Sequence, residues 1–385
     1  MTEKLILIGT HGHYIHALLF DPEKKTLRMG TRFGETSRDP SWLTAHPTLS
    51  DVIYANGHVY GKVFALRVTD KEGTLEVMSE AQSGGAGPTH IAVHPQAGIV
   101  IAHYKTGNVT TLAISPTGEF LTTMSRGGIN SSPTSNFDPL QHFSALPATP
   151  DFAFHPRQEA PHAHQVVIHP QSGDVFAPDL GSNVVWRLRW DVTKRELLPV
   201  SAGALTGFSP GDGPRHLVFH PDGKYVYTLC ELSSDIVIHS LDKPSFPIAR
   251  HSILPSFDRY PASPRAEQML ASEIVLIPSP SGGEMLLIAS NRDSPNPDGD
   301  ALALFTVSSD NPGQISPAQH QFVFGAGKHL RGVAANKEGK WVCVTSRNPG
   351  DVVMYERVGD GSQLREVART SLGRIMTPVC PLWIE

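Results

Sequence analysis

Cysteine, positive charge and long apolar runs are all scarce in this chain of 385 residues. Its three cysteines have neither the even number of a disulfide framework nor the spacing of a metal site, so we expect reduced thiols. The net charge of -5 does not favour binding to nucleic acid or to an anionic membrane. The apolar run at residues 5–8 is too short for a signal peptide, and no run is long enough for a membrane helix. These absences predict a cytoplasmic protein with no nucleic-acid or membrane partner.

Long amphipathic helix patterns are also missing, whereas glycine and proline are frequent, with 34 and 32 residues. This composition favours many short strands joined by turns. One pattern, a polar or histidine-containing start followed by an apolar run and a turn, recurs with copies that begin at residues 40, 88, 161, 214, 272, 330 and 377. The shorter intervals match the about 40–50 residues of a four-stranded propeller blade. The repeat therefore predicts seven blades.

The last copy of the repeat has room for only one strand before residue 385. Apolar runs at residues 5–9, 16–21 and 26–31 supply the strands that this copy lacks. Pairing the two chain ends would remove exposed sheet edges, which promote aggregation. We therefore expect an all-β fold, a seven-bladed β-propeller made of one domain over residues 1–385. Its ring would be closed by the C-terminal inner strand together with the N-terminal strands.

Two segments interrupt the repeat. Residues 125–160 are rich in serine, proline, glycine and asparagine, which fits either a surface loop or a cap over a site. Residues 293–300 are rich in proline and aspartate and follow Arg292 directly. We expect these two insertions to influence specificity.

Short motifs within the repeats carry a family resemblance. They are Gly-Pro-Thr-His at 87–90, Pro-His-Ala-His at 161–164, Pro-Asp-Leu-Gly at 178–181, Gly-Pro-Arg-His at 213–216, Cys-Glu-Leu at 230–232 and Ala-Ser-Asn-Arg at 289–292. In their order and spacing they resemble the seven-bladed propeller lactonases. That family includes bacterial-type 6-phosphogluconolactonases and fungal carboxy-cis,cis-muconate cyclases.

The resemblance implies four catalytic residues, because the cyclase branch uses one histidine, two arginines and one glutamate at these motif positions. They are His164, Arg215, Glu231 and Arg292. Arginine stays ionised and holds a carboxylate or phosphate with two parallel hydrogen bonds. Imidazole titrates near neutral pH, which suits His164 to act as a general base. We expect burial to raise the pKa of Glu231, which would then orient His164 or act as an acid.

Six further residues are candidates for substrate binding. They are His90, His103, His162, Asp179, His216 and Arg331. For Asp179 the competing interpretation is a structural turn. Many members of the family have asparagine where this chain has His103, and tyrosine where it has His11. These two imidazoles indicate that the substrate need not be the common one of the family.

We expect no metal and no cofactor. The candidate site is basic, whereas calcium-dependent propeller lactonases of another family hold their ion through carboxylate and carbonyl oxygens. The alternative is a metal bound by histidines from several blades, such as His90, His164 and His216.

Together these features favour a metal-independent lactonase that hydrolyses a sugar-acid lactone such as 6-phosphogluconolactone. The alternative is a lactone-forming cycloisomerase like the muconate cyclases, and the third possibility is a non-catalytic propeller that serves as an interaction scaffold. The expected partner is accordingly a small anionic lactone or an unsaturated diacid. The convergence of histidine, arginine and glutamate on one axis favours an enzyme over a scaffold.

Overall fold

Short apolar runs bounded by glycine and proline turns form β-strands along the whole chain. The computed structural model describes residues 3–36, 38–121, 123–125, 128–130, 135–138, 155–200, 203–255, 269–279 and 284–385. Within these residues the strands form seven four-stranded antiparallel sheets and one two-stranded hairpin. Each four-stranded sheet begins at one copy of the sequence repeat, so the predicted seven-bladed β-propeller is confirmed.

We number the blades by the inner strand that begins each repeat. From the inner to the outer edge, blade 1 contains β4 (Leu43–Ala45), β5 (Val52–Gly57), β6 (Lys62–Val68) and β7 (Leu75–Gln82), blade 2 contains β8 (Pro88–His94), β9 (Gly98–His103), β10 (Val109–Leu112) and β13 (Ser135–Phe137), and blade 3 contains β14 (Val167–Ile168), β15 (Val175–Asp179), β16 (Val184–Asp191) and β17 (Glu196–Pro199). In the same order, blade 4 contains β18 (Pro214–Phe219), β19 (Tyr225–Cys230), β20 (Asp235–Ser240) and β21 (Pro247–Ser252), and blade 5 contains β22 (Leu270–Ile277), β23 (Met285–Arg292), β24 (Leu302–Val307) and β25 (Ile315–Val323). Blade 6 contains β26 (Lys328–Ala335), β27 (Trp341–Asn348), β28 (Asp351–Val358) and β29 (Gln363–Ser371), and blade 7 contains β30 (Pro378–Ile384), β1 (Lys4–Thr10), β2 (Ile15–Asp21) and β3 (Thr26–Phe33).

The two ends of the chain close the ring in blade 7. Strand β30 pairs antiparallel with β1, with Leu382 opposite Leu7. It also lies between the inner strands β26 and β4 of the two neighbouring blades. The expected closure by the C-terminal inner strand and the N-terminal strands is therefore present.

The core lies between blades, and the alternation of strand side chains builds it. In β9 every residue is buried, and successive side chains face opposite neighbours. Ile99 and Ile101 pack in a cluster with residues of blade 1. Val100 and Ala102 pack in a cluster with residues of blade 3. Middle strands that are apolar on both faces therefore bind the blades into a ring.

Histidines at the C-terminal ends of inner strands, called the far ends below, connect neighbouring blades. Nδ1 of His94 accepts a hydrogen bond from the backbone N–H of Ala97 at 2.9 Å, while its Nε2 donates to the carbonyl of Gly173 in blade 3 at 2.9 Å. His169 repeats the arrangement, and its Nε2 donates to the carbonyl of Gly223 in blade 4 at 2.7 Å. These imidazoles are structural links between blades.

Of the two predicted insertions, 125–160 contains β-strands in its described part, whereas 293–300 is irregular but held by hydrogen bonds. In residues 125–160, β13 completes blade 2 as its outer strand, and β11 (Thr123–Ser125) pairs with β12 (Gly128–Asn130) in a hairpin that begins just before the segment. Residues 139–154 lie outside the described part. The 293–300 segment folds around the buried carboxylate of Asp300, which accepts hydrogen bonds from the backbone N–H groups of Asp293, Ser294 and His329. Among the described residues, no helix is long and apolar enough to cross a membrane.

We predict that His94→Ala lowers the free energy of unfolding by about 1–3 kcal/mol, because it leaves buried backbone groups unpaired. Burial holds the pKa of His94 below its usual value. The neutral ring therefore stabilises the fold fully above the unfolded pKa of about 6.5, and this contribution is lost as the pH falls through the lower folded pKa. Chemical denaturation at several pH values measures both effects. The control is His320→Ala on the exposed face of β25, and equal midpoints for the two variants at neutral pH would contradict the prediction.

Candidate active site

Irregular pairing at the start of the inner strands turns extra side chains towards the propeller axis. The register of β18 shifts around Arg215, and the register of β26 shifts around Arg331. Successive residues of a regular strand point to opposite faces, and a bulge removes that constraint locally. Arg215 and the next residue, His216, therefore both line the same pocket.

This pocket has a volume of about 180 Å³ and lies on the axis, because all seven blades contribute to it. The inner strands and the residues leading into them supply Trp42, Thr89, His164, Arg215, His216, Glu273, Arg331 and Val379. The ends of second strands add Tyr104, Glu231 and Arg292. Of the ten predicted site residues, the structure brings six together here: His164, Arg215, His216, Glu231, Arg292 and Arg331.

Glu231 is the anchor of an arginine cluster. Its side chain is only 1% exposed, and its Oε1 lies 2.9 Å from Nη2 of Arg292. Its Oε2 lies 2.8 Å from Nε of Arg215, and Arg157 forms a third ion pair with Oε1. Burial alone would raise the pKa of Glu231, but the surrounding arginines, Arg292 first, hold it well below the usual value.

The expected net rise in the pKa of Glu231 is therefore wrong, because the arginines outweigh the effect of burial. A carboxylate held by three guanidinium groups stays ionised at neutral pH and is not a proton donor. Within the described part of the chain it also makes no hydrogen bond to His164. Its ion pairs hold Arg157, Arg215 and Arg292 in place.

Arg157 reaches the pocket from the end of the 125–160 segment. Its Nη2 donates to the hydroxyl of Tyr104 at 3.0 Å, and its side chain remains 34% exposed. Part of the segment predicted to be a loop or a cap thus lines the site. The sequence did not single out this arginine, because nothing in its neighbourhood repeats elsewhere in the chain.

Arg331 is held by a neutral group instead of a carboxylate. Its Nη2 lies 3.2 Å from Nε2 of His11, whose Nδ1 lies 2.7 Å from Oδ1 of Asp39. When His11 donates from Nδ1 to the carboxylate, its Nε2 is free to accept from Arg331. Burial and then the charges of Arg292 and Arg215 lower the pKa of Arg331 well below its usual value. This guanidinium group therefore gains most from a bound anion.

A chain of hydrogen bonds leads from Glu273 to the centre of the pocket. Oε1 of Glu273 lies 2.7 Å from Nδ1 of His216, and Nε2 of His216 lies 3.2 Å from Nδ1 of His164. With Glu273 ionised, His216 donates to it from Nδ1 and accepts from Nδ1–H of His164. Nε2 of His164 then carries the free lone pair of a general base.

Burial shifts the pKa values at the two ends of this hydrogen-bond chain in opposite directions. It lowers the pKa of His164 well below the usual value, and the charge of Arg215 adds to this. It raises the pKa of Glu273 to about 7, although Arg215 opposes the change. Both effects disfavour the charged form of the buried group.

Four predicted substrate-binding residues do not line the pocket. His90 packs against Trp42 with the rings tilted by 33° and their centroids 4.1 Å apart. Burial lowers the pKa of His103 to about 4, and its Nδ1 donates to the backbone carbonyl of Asn108.

The other two support neighbouring groups. His162 stacks on Tyr104 with ring centroids 4.5 Å apart, and its Nδ1 donates to the backbone carbonyl of that residue at 2.7 Å. Asp179 accepts hydrogen bonds from the side chains of Ser182 at 2.7 Å and Trp186 at 3.0 Å. The structural interpretation of Asp179 is thus the one that the geometry supports.

Glu273 is the main residue that the sequence interpretation missed. It lies five positions before Pro278, as His216 lies five positions before Pro221. This shared register was a signal that could have identified it. In the described part of the chain, no group of three or more histidine, cysteine or acidic side chains could hold a metal ion.

The fold and the pocket together define a seven-bladed β-propeller with a basic, carboxylate-anchored site on its axis. The family described as "Lactonase, 7-bladed beta-propeller" matches residues 5–381. The chain belongs to this family.

The relatives are distant and cover between 62% and 100% of the chain. A protein of Arthroderma benhamiae named "Probable 6-phosphogluconolactonase" is 25% identical over 100% of this chain and 89% of its own length. The 6-phosphogluconolactonase of Bacillus subtilis is 27% identical over 62% of each chain. The structure of a periplasmic gluconolactonase of Pseudomonas aeruginosa superposes with a TM-score of 0.75 at 21% identity, covering 100% of this chain and 99% of that one. The last similarity concerns the fold alone.

We predict that Glu231→Gln destabilises the protein by about 3–5 kcal/mol, because it leaves buried arginines without their carboxylate. Inorganic phosphate should restore part of the loss by taking the place of the missing charge. Thermal unfolding with and without phosphate measures both effects. The control is Glu76→Gln on the exposed side of β7. A melting temperature equal to that of the wild type would contradict the role of Glu231 as anchor.

Proposed function

We propose that this protein is a lactonase that hydrolyses a phosphorylated sugar-acid lactone of the 6-phosphogluconolactone type. The main support for the proposal is the pocket. In it, Nε2 of His164 faces a space surrounded by four arginines. The names of the two curated relatives agree with this activity. The expected ligand is a small anionic lactone, and we propose a cytoplasmic location because the three thiols are buried and unpaired.

The charge of the pocket fits an anionic substrate. Four guanidinium groups, those of Arg157, Arg215, Arg292 and Arg331, face the ionised carboxylate of Glu231 and the carboxyl of Glu273. Positive charge therefore remains in excess whether or not Glu273 is ionised. A phosphate dianion would neutralise this excess with charge-assisted hydrogen bonds.

The same groups suit the chemistry of lactone opening. Water adds to the carbonyl carbon and gives a proton to Nε2 of His164, and the carbonyl oxygen becomes an oxyanion. Fixed guanidinium donors stabilise that oxyanion, each by about 3 kcal/mol. The ring C–O bond then breaks, and the ring oxygen leaves as a hydroxyl group after it receives a proton.

The other two functions have less support. Nothing in the pocket geometry favours cycloisomerisation over hydrolysis, and the names of the curated relatives agree with hydrolysis. A non-catalytic scaffold does not account for an imidazole chain and four arginines gathered from separate blades.

We predict that the wild type releases protons from 6-phosphoglucono-δ-lactone well above the spontaneous rate. His164→Ala should lower kcat at least about 100-fold, because the general base is removed. His320→Ala on β25 is the control for loss of an imidazole elsewhere. Proton release followed with a pH indicator measures the rates, and unchanged turnover in His164→Ala would exclude this residue as the base.

We predict that Arg331→Ala lowers kcat/KM for the phosphorylated lactone about 10–100-fold, the equivalent of one charge-assisted hydrogen bond. The effect on the unphosphorylated gluconolactone should be much smaller. Arg365→Ala, which removes a guanidinium group that is 60% exposed, is the matched control. Equal losses for both lactones would show that Arg331 does not bind the phosphate.

A further inference from the structure

Glu273 lies at the boundary between two cavities. One is the substrate pocket, and the other is a central channel of about 490 Å³ that continues along the axis between the inner strands. Trp42 and Glu273 line both spaces. Glu273 is nevertheless buried, with 6% of its surface exposed, and its Oε1 lies 2.7 Å from Nδ1 of His216.

His164 alone is a poor proton acceptor in this environment. An imidazolium ion there would face Arg215 and Arg331, and the buried site offers little water to screen the repulsion. A proton moved two hydrogen bonds further would instead neutralise a carboxylate. The transfer would leave both imidazoles uncharged and would not weaken the ion pairs that Glu231 forms with the arginines.

We propose that His216 and Glu273 form a proton relay, in which Glu273 stores the proton that His164 takes from the attacking water and returns it to the leaving oxygen. This inference rests on the proposed lactonase function. It gives Glu273 a role in proton transfer, and His216 the role of the link between the two ends.

Each step of the relay balances. The water proton binds Nε2 of His164, the proton on Nδ1 of His164 moves to Nε2 of His216, and the proton on Nδ1 of His216 moves to Oε1 of Glu273. When the ring C–O bond breaks, the three transfers run in reverse and the ring oxygen receives a proton. Both imidazoles thereby recover their starting tautomers. The second proton of the water is released when the new carboxylic acid ionises.

The groups around Glu273 agree with a carboxyl that exchanges protons near neutral pH. His216 and Arg215 face it from β18, and Arg331 faces it from β26. Cys380 of β30 is a further titratable neighbour, and burial raises the pKa of its thiol to about 12, so that it stays protonated. Burial raises the pKa of Glu273 to about 7, against the influence of the arginines. The relay needs the ionised form, so activity should rise as the pH increases through this value.

The decisive variant is Glu273→Gln. Its amide oxygen still accepts the hydrogen bond from His216, so the imidazole tautomers stay fixed, but it cannot take up the proton. We expect kcat to fall about 10–100-fold with little change in KM, and the acidic limb of the pH profile near 7 to disappear. Glu76→Gln is the matched control. A wild-type kcat in Glu273→Gln would overturn the relay and leave Glu273 a positioning residue.

A second variant tests whether the two residues act as one path. His216→Gln keeps an acceptor towards His164 and a donor towards Glu273, but it blocks transfer, and it should lower kcat to a similar degree. The fall in kcat of the double variant should be no larger than that of either single variant. Losses that multiply in the double variant would show two independent roles and contradict the relay.

Infrared difference spectroscopy tests the proposal in the absence of substrate. We expect the carbonyl band of a protonated carboxyl group to titrate near neutral pH in the wild type and to be absent from Glu273→Gln, whereas ordinary glutamates titrate at about 4.3. Identical titrations of the two proteins would overturn the relay. If the wild type does not hydrolyse lactones, the proposed function fails, and this measurement still tests Glu273. If His164→Ala is inactive and Glu273→Gln is normal, the relay alone fails.

Discussion

The pairing of β30 with β1 is the contact on which the rest of the molecule depends. It converts a row of seven blades into a closed ring, so that every inner strand starts at the same end of one axis. Residues as far apart in the chain as His11 and Val379 then line one pocket. The same pairing leaves neither β30 nor β1 as a single unpaired strand at a chain end, where an exposed edge would be a template for aggregation. The site exists because the ring is closed.

Bringing four arginines to one buried point is electrostatically unfavourable, and the site contains specific groups that offset this. Glu231 neutralises part of the charge and fixes three of the arginines through ion pairs. Arg331 is held through the neutral ring of His11, which leaves its charge uncompensated. A site of this kind is stabilised by the ligand it binds, since a bound anion supplies the missing charge. Stability and anion recognition are therefore linked through the same guanidinium groups.

Histidine has different roles at the two ends of the inner strands. At the far end, His94 and His169 use both ring nitrogens to join backbone groups of adjacent blades. At the axis end, His164 and His216 form a chain that leaves one ring nitrogen facing the pocket. The repeat thus places the same residue type where it stabilises the ring and where it supports chemistry. What differs is whether the backbone or a second titratable side chain is the partner.

The sequence by itself determined the seven strand repeats, the closure of the ring and several residues of the pocket, because local turn signals and motif order carry that information. Only the tertiary structure decided that Glu231 stays ionised, since its pKa depends on arginines from other blades and from the 125–160 segment. It also decided that Glu273 joins the site and that His103 does not. Bulges, burial and contacts between blades set where each side chain points and which groups it meets, and these are properties of the closed ring that no local pattern encodes.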